Sequence, residues 1–147
     1  MEWQQGEFCI TTERERVSLD TVHRFLSSEA YWSKGIPRET VERSLDNSLC
    51  FSLLDGSDQI GFARVISDRA TIAYLGDVFV LAGYRGRGLS KWLMKCVMSH
   101  PELQGLRRWI LLTADAHELY AQSGFTSLTE PDRWMQRHDP AVYPLGD

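Results

Sequence analysis

Four consecutive residues, Arg85-Gly86-Arg87-Gly88, have the composition of an anion cradle. Gly86 and Gly88 remove the Cβ atoms that hold a ligand away from the backbone, and they permit positive φ. Backbone N–H groups in such a turn, with the unpaired N–H groups of a helix beginning behind it, converge on one spot and favour negative charge there. Arg85 and Arg87 add mobile positive charge at the rim. The flanks supply a scaffold: Tyr74 to Leu81 reads as a buried strand, and an amphipathic helix begins near Leu89. Strand, glycine-rich turn and helix together suggest a bound phosphate; the alternative is an ordinary glycine-rich strand–helix turn with arginines for solubility. Two other phosphate loops are excluded by spacing. The run Gly-x-x-x-x-Gly-Lys-Ser/Thr is absent, and a dinucleotide fingerprint needs a third glycine where Lys91 stands.

The remaining chain supplies elements that would hold this turn. Phe8 to Thr12 alternates apolar and polar and predicts a first strand, preceded by a short arm carrying Trp3. Ser18 can cap a helix whose Leu19, Val22, Phe25 and Leu26 recur at helical spacing, and Pro37 suits the first turn of a second helix over 38–45. The turn between them holds two adjacent aromatics, Tyr31 and Trp32, which either fill core or line a pocket. Leu49 to Leu54, Gln59 to Ser67 and Thr71 to Leu81 predict an antiparallel meander, with Asp55-Gly56 at its first turn. In the helix from Leu89 to Ser99, Leu89, Leu93, Cys96 and Val97 form one apolar stripe. The apolar run from Arg108 to Thr113 predicts a central strand covered on both faces. Asp115 and Glu118 form a capping-box-like start for a short helix over 116–122, which Gly124 ends. Short strands are expected at Phe125 to Leu128 and near Trp134 to Arg137, with Pro140 and Pro144 marking a loose C-terminus.

A chain of 147 residues suits one domain over its whole length, large enough to bury a core. A net charge of −4 argues against a general nucleic-acid binder and leans toward a cationic substrate. Cys9, Cys50 and Cys96 are odd in number and lack metal-ligand spacing, so reduced thiols in a cytoplasmic protein are expected. His23, His100, His117 and His138 are scattered, and no metal site is expected. The first residues have no apolar h-region, and no apolar run reaches the length of a membrane span.

The segment Arg85-Gly86-Arg87-Gly88-Leu89-Ser90 resembles the pyrophosphate-binding motif of the Gcn5-related N-acetyltransferase (GNAT) family, Gln/Arg-x-x-Gly-x-Gly/Ala, with Ser90 at the final small position. A second segment, from Asp115 to Phe125, is similar to that family's Asn-x-x-x-x-x-Tyr-x-x-x-Gly-Phe pattern, with approximate spacing and Asp for Asn. The order of predicted elements resembles the family fold as well. That resemblance implies an α/β (α+β) architecture: a mixed, mostly antiparallel sheet with a splayed parallel pair, flanked by four helices. It implies transfer of the acetyl group of acetyl-CoA to an amine. Backbone groups of Val78, Phe79 and Val80 would pair with pantetheine. The amides of Gly86, Arg87, Gly88, Leu89, Ser90 and Lys91 would hold the pyrophosphate, with Arg85 at the rim and Asp115 in the second segment.

Tyr120 matches the family's proton donor to the departing thiolate; its alternative is aromatic packing of the last helix. A backbone N–H near Phe79 or Val80 would meet the oxyanion. Tyr74-Leu75-x-Asp77-x-Phe79-Val80, followed by Tyr84-Arg85-Gly86, resembles diamine acetyltransferases, whose carboxylate stands where this chain has Gly76. Asp77 is adjacent, but strand alternation puts it on the opposite face unless a bulge at Gly76 turns it into the cleft. Otherwise Asp77 is a polar residue satisfied beside Arg64 or a helix end. Tyr74, Glu29 and water compete with it as base. The expected acceptor is a small primary amine held near Glu29, Tyr31, Trp32 and Tyr74. Two alternatives remain: a protein lysine or N-terminal acetyltransferase, and a non-catalytic acyl-CoA-binding module. A homodimer is one option for assembly.

Overall fold

The computed structural model describes residues 1–143, so Pro144 lies outside the described residues. Strands β1 (Glu2–Gln5) and β2 (Phe8–Thr11) open the chain, followed by helices α1 (Leu19–Arg24) and α2 (Arg38–Asp46). Strands β3 (Leu49–Asp55), β4 (Asp58–Ser67) and β5 (Ile72–Val80) form the meander. Helix α3 (Leu89–Ser99), strand β6 (Arg108–Leu111) and helix α4 (His117–Ala121) complete the regular elements. The six strands lie in one sheet in chain order. Every neighbouring pair is antiparallel except β5 and β6, which run parallel.

Each sheet face is covered by its own helices. Leu89, Leu93, Met94, Cys96 and Val97 of α3 bury against Ile10, Phe51, Leu53, Ala63 and Val65 on one face. On the other, Val22, Phe25, Leu26, Val41 and Leu45 from the first two helices meet Phe62 and Phe79. Phe25 stacks on Phe79 with ring centres 4.0 Å apart. Ser18 caps α1 as expected, accepting from the Thr21 amide at 3.1 Å. After α1 the chain continues as a π-turn over Phe25–Glu29.

Four expectations need correction. The arm carrying Trp3 is a strand, because Glu2–Gln5 pairs antiparallel with β2 across Gly6, which takes φ 59°. The apolar run at 108–111 is not central: β6 pairs with β5 alone among the described residues, and Leu112 beyond it is 81% exposed. The stretches at 125–128 and 134–137 form no strand. Their aromatics cover β6 by side-chain contact instead, Phe125 edge-on to Trp109 and the Trp134 ring 5.2 Å from the Arg108 guanidinium. Asp115 does not cap α4, which begins without a side-chain cap; in the turn before it the Thr113 hydroxyl accepts from the Asp115 and Ala116 amides at 3.4 and 3.0 Å. Gly124 does end that helix, at φ 91° with its amide on the Ala121 carbonyl.

Candidate active site

The site begins where β5 and β6 part. Their parallel ladder runs from Ile72↔Arg108 to Leu75↔Leu111 and stops, while β5 continues five residues further to Val80. From Gly76 onward that edge of β5 has no strand beside it among the described residues. At the point of separation β5 also changes face. Two steps along β4, from Phe62 to Arg64, span three along β5, from Phe79 to Gly76, which is a β-bulge. Ala73 and Leu75 belong to the α3 face, whereas Phe79 belongs to the α1–α2 face. Asp77 sits at the switch with φ 53°. Aspartate tolerates this left-handed conformation better than most residues with a Cβ.

The bulge turns the Asp77 carboxylate to the α1–α2 face, where two donors hold it. Arg64 Nε donates to Oδ2 at 2.7 Å and Trp32 Nε1 to Oδ1 at 2.9 Å. Arg64 in turn donates from Nη1 to Ser48 Oγ at 3.1 Å. The two readings of Asp77 are thus combined: it is rotated by a bulge and it is paired with Arg64. Glycine at position 76 leaves the Tyr74 ring its place, since a Cβ there would approach that ring to 3.0 Å. Burial, and then the Asp77 charge, push the Tyr74 hydroxyl above its ordinary value.

Tyr31 and Trp32 project from the turn between the first two helices, which Ser33 anchors by donating to the Leu26 carbonyl at 2.7 Å. Trp32 reaches β5 through Asp77. Tyr31 reaches across to the other side, its hydroxyl accepting from the Ala114 amide at 2.9 Å. These two contacts span the gap between β5 and the loop after β6. Beneath them lies a cleft of about 770 Å³, lined also by Tyr74, Val78, Asp115 and Tyr120. Glu29 is exposed and outside this lining, so it is not brought to the site.

Tyr120 is 9% exposed and packs edge-on to Phe125. Its hydroxyl has no hydrogen-bond partner among the described residues, yet no fully buried side-chain oxygen is left unpaired. The hydroxyl therefore opens to the cleft. Burial pushes it up to about 12, with Tyr31 and Asp115 adding smaller upward contributions. It carries its proton at neutral pH.

Beyond Val80 the chain enters the glycine turn. Gly86 and Gly88 take φ 82° and 74°, and a Cβ on either would meet nothing within 4 Å, so open space faces the backbone. The first amide near the start of α3 to find an acceptor is that of Trp92, on the Gly88 carbonyl. Amides from Gly86 to Lys91 have no protein acceptor among the described residues, which leaves a converging set for an anion. The arginines are less mobile than their sequence suggests. Arg85 Nε donates to the Val80 carbonyl at 2.9 Å, and Arg87 lies over the Tyr84 ring.

Tyr74, Asp77, Tyr31, Trp32 and Tyr120 thus share one cleft, with the edge of Val78 to Val80 leading from it to the glycine turn. Sequence reasoning passed over Arg64 as a site residue. Its signal was a lone arginine inside an otherwise apolar strand. No group of three or more metal-ligating side chains occurs among the described residues. Nor is any helix there long and apolar enough to cross a membrane.

Comparison with known proteins adds the family. The sequence profile of the Acetyltransferase (GNAT) family matches residues 19–125. A Gibberella zeae protein with a provisional acetyltransferase name is 29% identical over 143 aligned positions, covering 82% of this chain and 80% of that one. A crystal structure from Xanthomonas campestris pv. campestris, of a provisionally named acetyltransferase belonging to the GNAT family, is 49% identical. It superposes with a TM-score of 0.92, covering 96% of this chain and 99% of that one. A predicted acetyltransferase with acetyl-CoA from Clostridium acetobutylicum shares the fold at 12% identity, with a TM-score of 0.60 over 89% of this chain and 94% of that one.

Proposed function

The chain belongs to the acetyltransferase (GNAT) family, and from that premise we propose that it moves the acetyl group of acetyl-CoA to a small primary amine by direct attack in a ternary complex. The observation that carries the reading is the course of β5. Its edge from Gly76 to Val80, with no strand beside it among the described residues, leads to a turn whose amides from Gly86 to Lys91 lack acceptors. An elongated ligand with amides at one end and a pyrophosphate at the other matches both features. The open space in front of Gly86 and Gly88 leaves room for the phosphates. When bound, the CoA thioester supplies an acyl group activated toward nitrogen nucleophiles.

The residues divide the work. The amides from Gly86 to Lys91 hold the pyrophosphate, and the free edge of Val78 and Phe79 pairs with the pantetheine arm. Arg85 occupies the Val80 carbonyl, so pairing along this edge falls on the residues before it. An amine with a pKa of ~10 is mostly protonated at neutral pH and must shed that proton before attack. Asp77 faces it and takes the proton, directly or through water. As the C–N bond forms and the C–S bond breaks, a β5 amide near Phe79 or Val80 meets the oxyanion and Tyr120 gives its proton to the leaving sulfur; the second proton shed by the attacking nitrogen, carried through water, restores the Tyr120 hydroxyl. Tyr31 and Trp32 narrow the cleft mouth, which favours a small acceptor over a peptide lying in an open groove.

Tyr120→Phe tests the acid role, because it keeps the ring against Phe125 and deletes only the hydroxyl. Near-normal acetyl-CoA affinity with kcat reduced ~10²-fold or more is expected. Full activity in the Phe variant would return Tyr120 to a packing role.

A further inference from the structure

Arg64 is the one arginine or lysine lining the cleft among the described residues, and its position is built rather than incidental. It stands on β4 opposite Gly76, at the bulge. Its side chain is 17% exposed and that of Asp77 is 11% exposed. A guanidinium carries five N–H groups. Asp77 and Ser48 accept one each, from Nε and Nη1. Nη2 has no protein acceptor among the described residues. Because no fully buried side-chain nitrogen there lacks a partner, Nη2 keeps some exposure, and Arg64 lines the cleft. Asp77 Oδ1 accepts from Trp32 and keeps further acceptor capacity. The cleft therefore presents a cationic fork and a carboxylate side by side, the fork with three N–H groups unfilled and the carboxylate with acceptor capacity to spare.

Such a pair discriminates among amines. A diamine or polyamine brings only positive charge and leaves the free guanidinium N–H groups without an acceptor. A molecule whose amine lies next to a carboxylate meets an opposite charge with both groups. We propose that the acceptor is an α-amino acid, its carboxylate held by Arg64 Nη2 and its amino group beside Asp77. This rests on the acetyl-transfer reading above. Arg64 thereby sets specificity, and the rings of Tyr74 and Trp32 wall the amino-acid side chain. The acidic balance of the whole chain is a sum over its surface and does not describe this cleft.

The test compares amino acids with their decarboxylated counterparts: L-phenylalanine with phenethylamine, L-leucine with isoamylamine, L-lysine with cadaverine. CoA thiol release from acetyl-CoA is followed with each. The amino acid of at least one pair should show a kcat/KM ~10-fold or more above its amine, the scale of a hydrogen bond to a charged group. In Arg64→Met both substrates should lose kcat, because Arg64 also holds Asp77, but the preference should vanish: the amino-acid kcat/KM falls ~10–100-fold further than that of phenethylamine. The wild-type comparison stands alone if the variant does not fold. Decarboxylated amines turning over as well as or better than the amino acids would overturn the assignment while leaving acetyl transfer to small amines intact. If only lysine-bearing peptides react, the small-acceptor reading fails and this inference with it.

Discussion

At the scale of single residues, the site depends on two groups held in unusual states. Asp77 occupies a left-handed conformation and keeps it because Arg64 and Trp32 bind both carboxylate oxygens. Burial pushes the Tyr120 hydroxyl from the ordinary 10.0 up to about 12. The folded chain therefore binds the hydroxyl proton more tightly than the unfolded chain. The resulting stability is complete below about pH 10 and is lost as the pH climbs through about 12. Thermal melts across the alkaline range should show a steeper loss in the wild type than in Tyr120→Phe, which has no hydroxyl to ionise. Identical alkaline slopes would mean that Tyr120 titrates like an exposed tyrosine. Proximity to Arg64 was foreseeable for Asp77. The left-handed turn at Asp77 itself was less so, because a Gly-Asp pair in a strand marks a bulge without saying which residue carries it.

At the scale of elements, the glycine turn and α3 form one device. The φ values of Gly86 and Gly88 hold the turn, and the amides behind it face open space. Gly88→Val meets no neighbouring atom but pays the left-handed penalty, roughly 1–2 kcal/mol. The variant should remain folded and lose acetyl-CoA affinity in calorimetry, since its side chain enters the space proposed for the pyrophosphate. Unchanged affinity in a folded variant would remove the cradle from the account. This device was legible because glycine spacing and the Leu89–Val97 stripe are local signals, and α3 begins and ends where its periodicity does. The place of β6 was not legible. Trp109, Ile110 and Leu111 reveal a strand, but a run of apolar residues cannot say how many neighbours it has. The covering of β6 by Phe125 and Trp134 is a tertiary contact that reads in sequence as another strand.

At the scale of the molecule, two apolar layers clamp one sheet, and the site opens where that sheet comes apart. The turn between α1 and α2 supplies Tyr31 and Trp32, and the α3–α4 side supplies the glycine turn and Tyr120. The Tyr31 hydroxyl on the Ala114 amide joins the two sides over the cleft. This arrangement makes sense if both a thioester and a small nucleophile must meet between the layers. The direct measurement is mass spectrometry of acceptors after incubation with acetyl-CoA, using a mixture of small primary amines and one lysine-bearing peptide. A small amine one acetyl group heavier, formed in step with released CoA and ~10²-fold more slowly by Tyr120→Phe, is the predicted result. Tight acetyl-CoA binding with no acetylated product, or acetylation confined to the peptide, would contradict it.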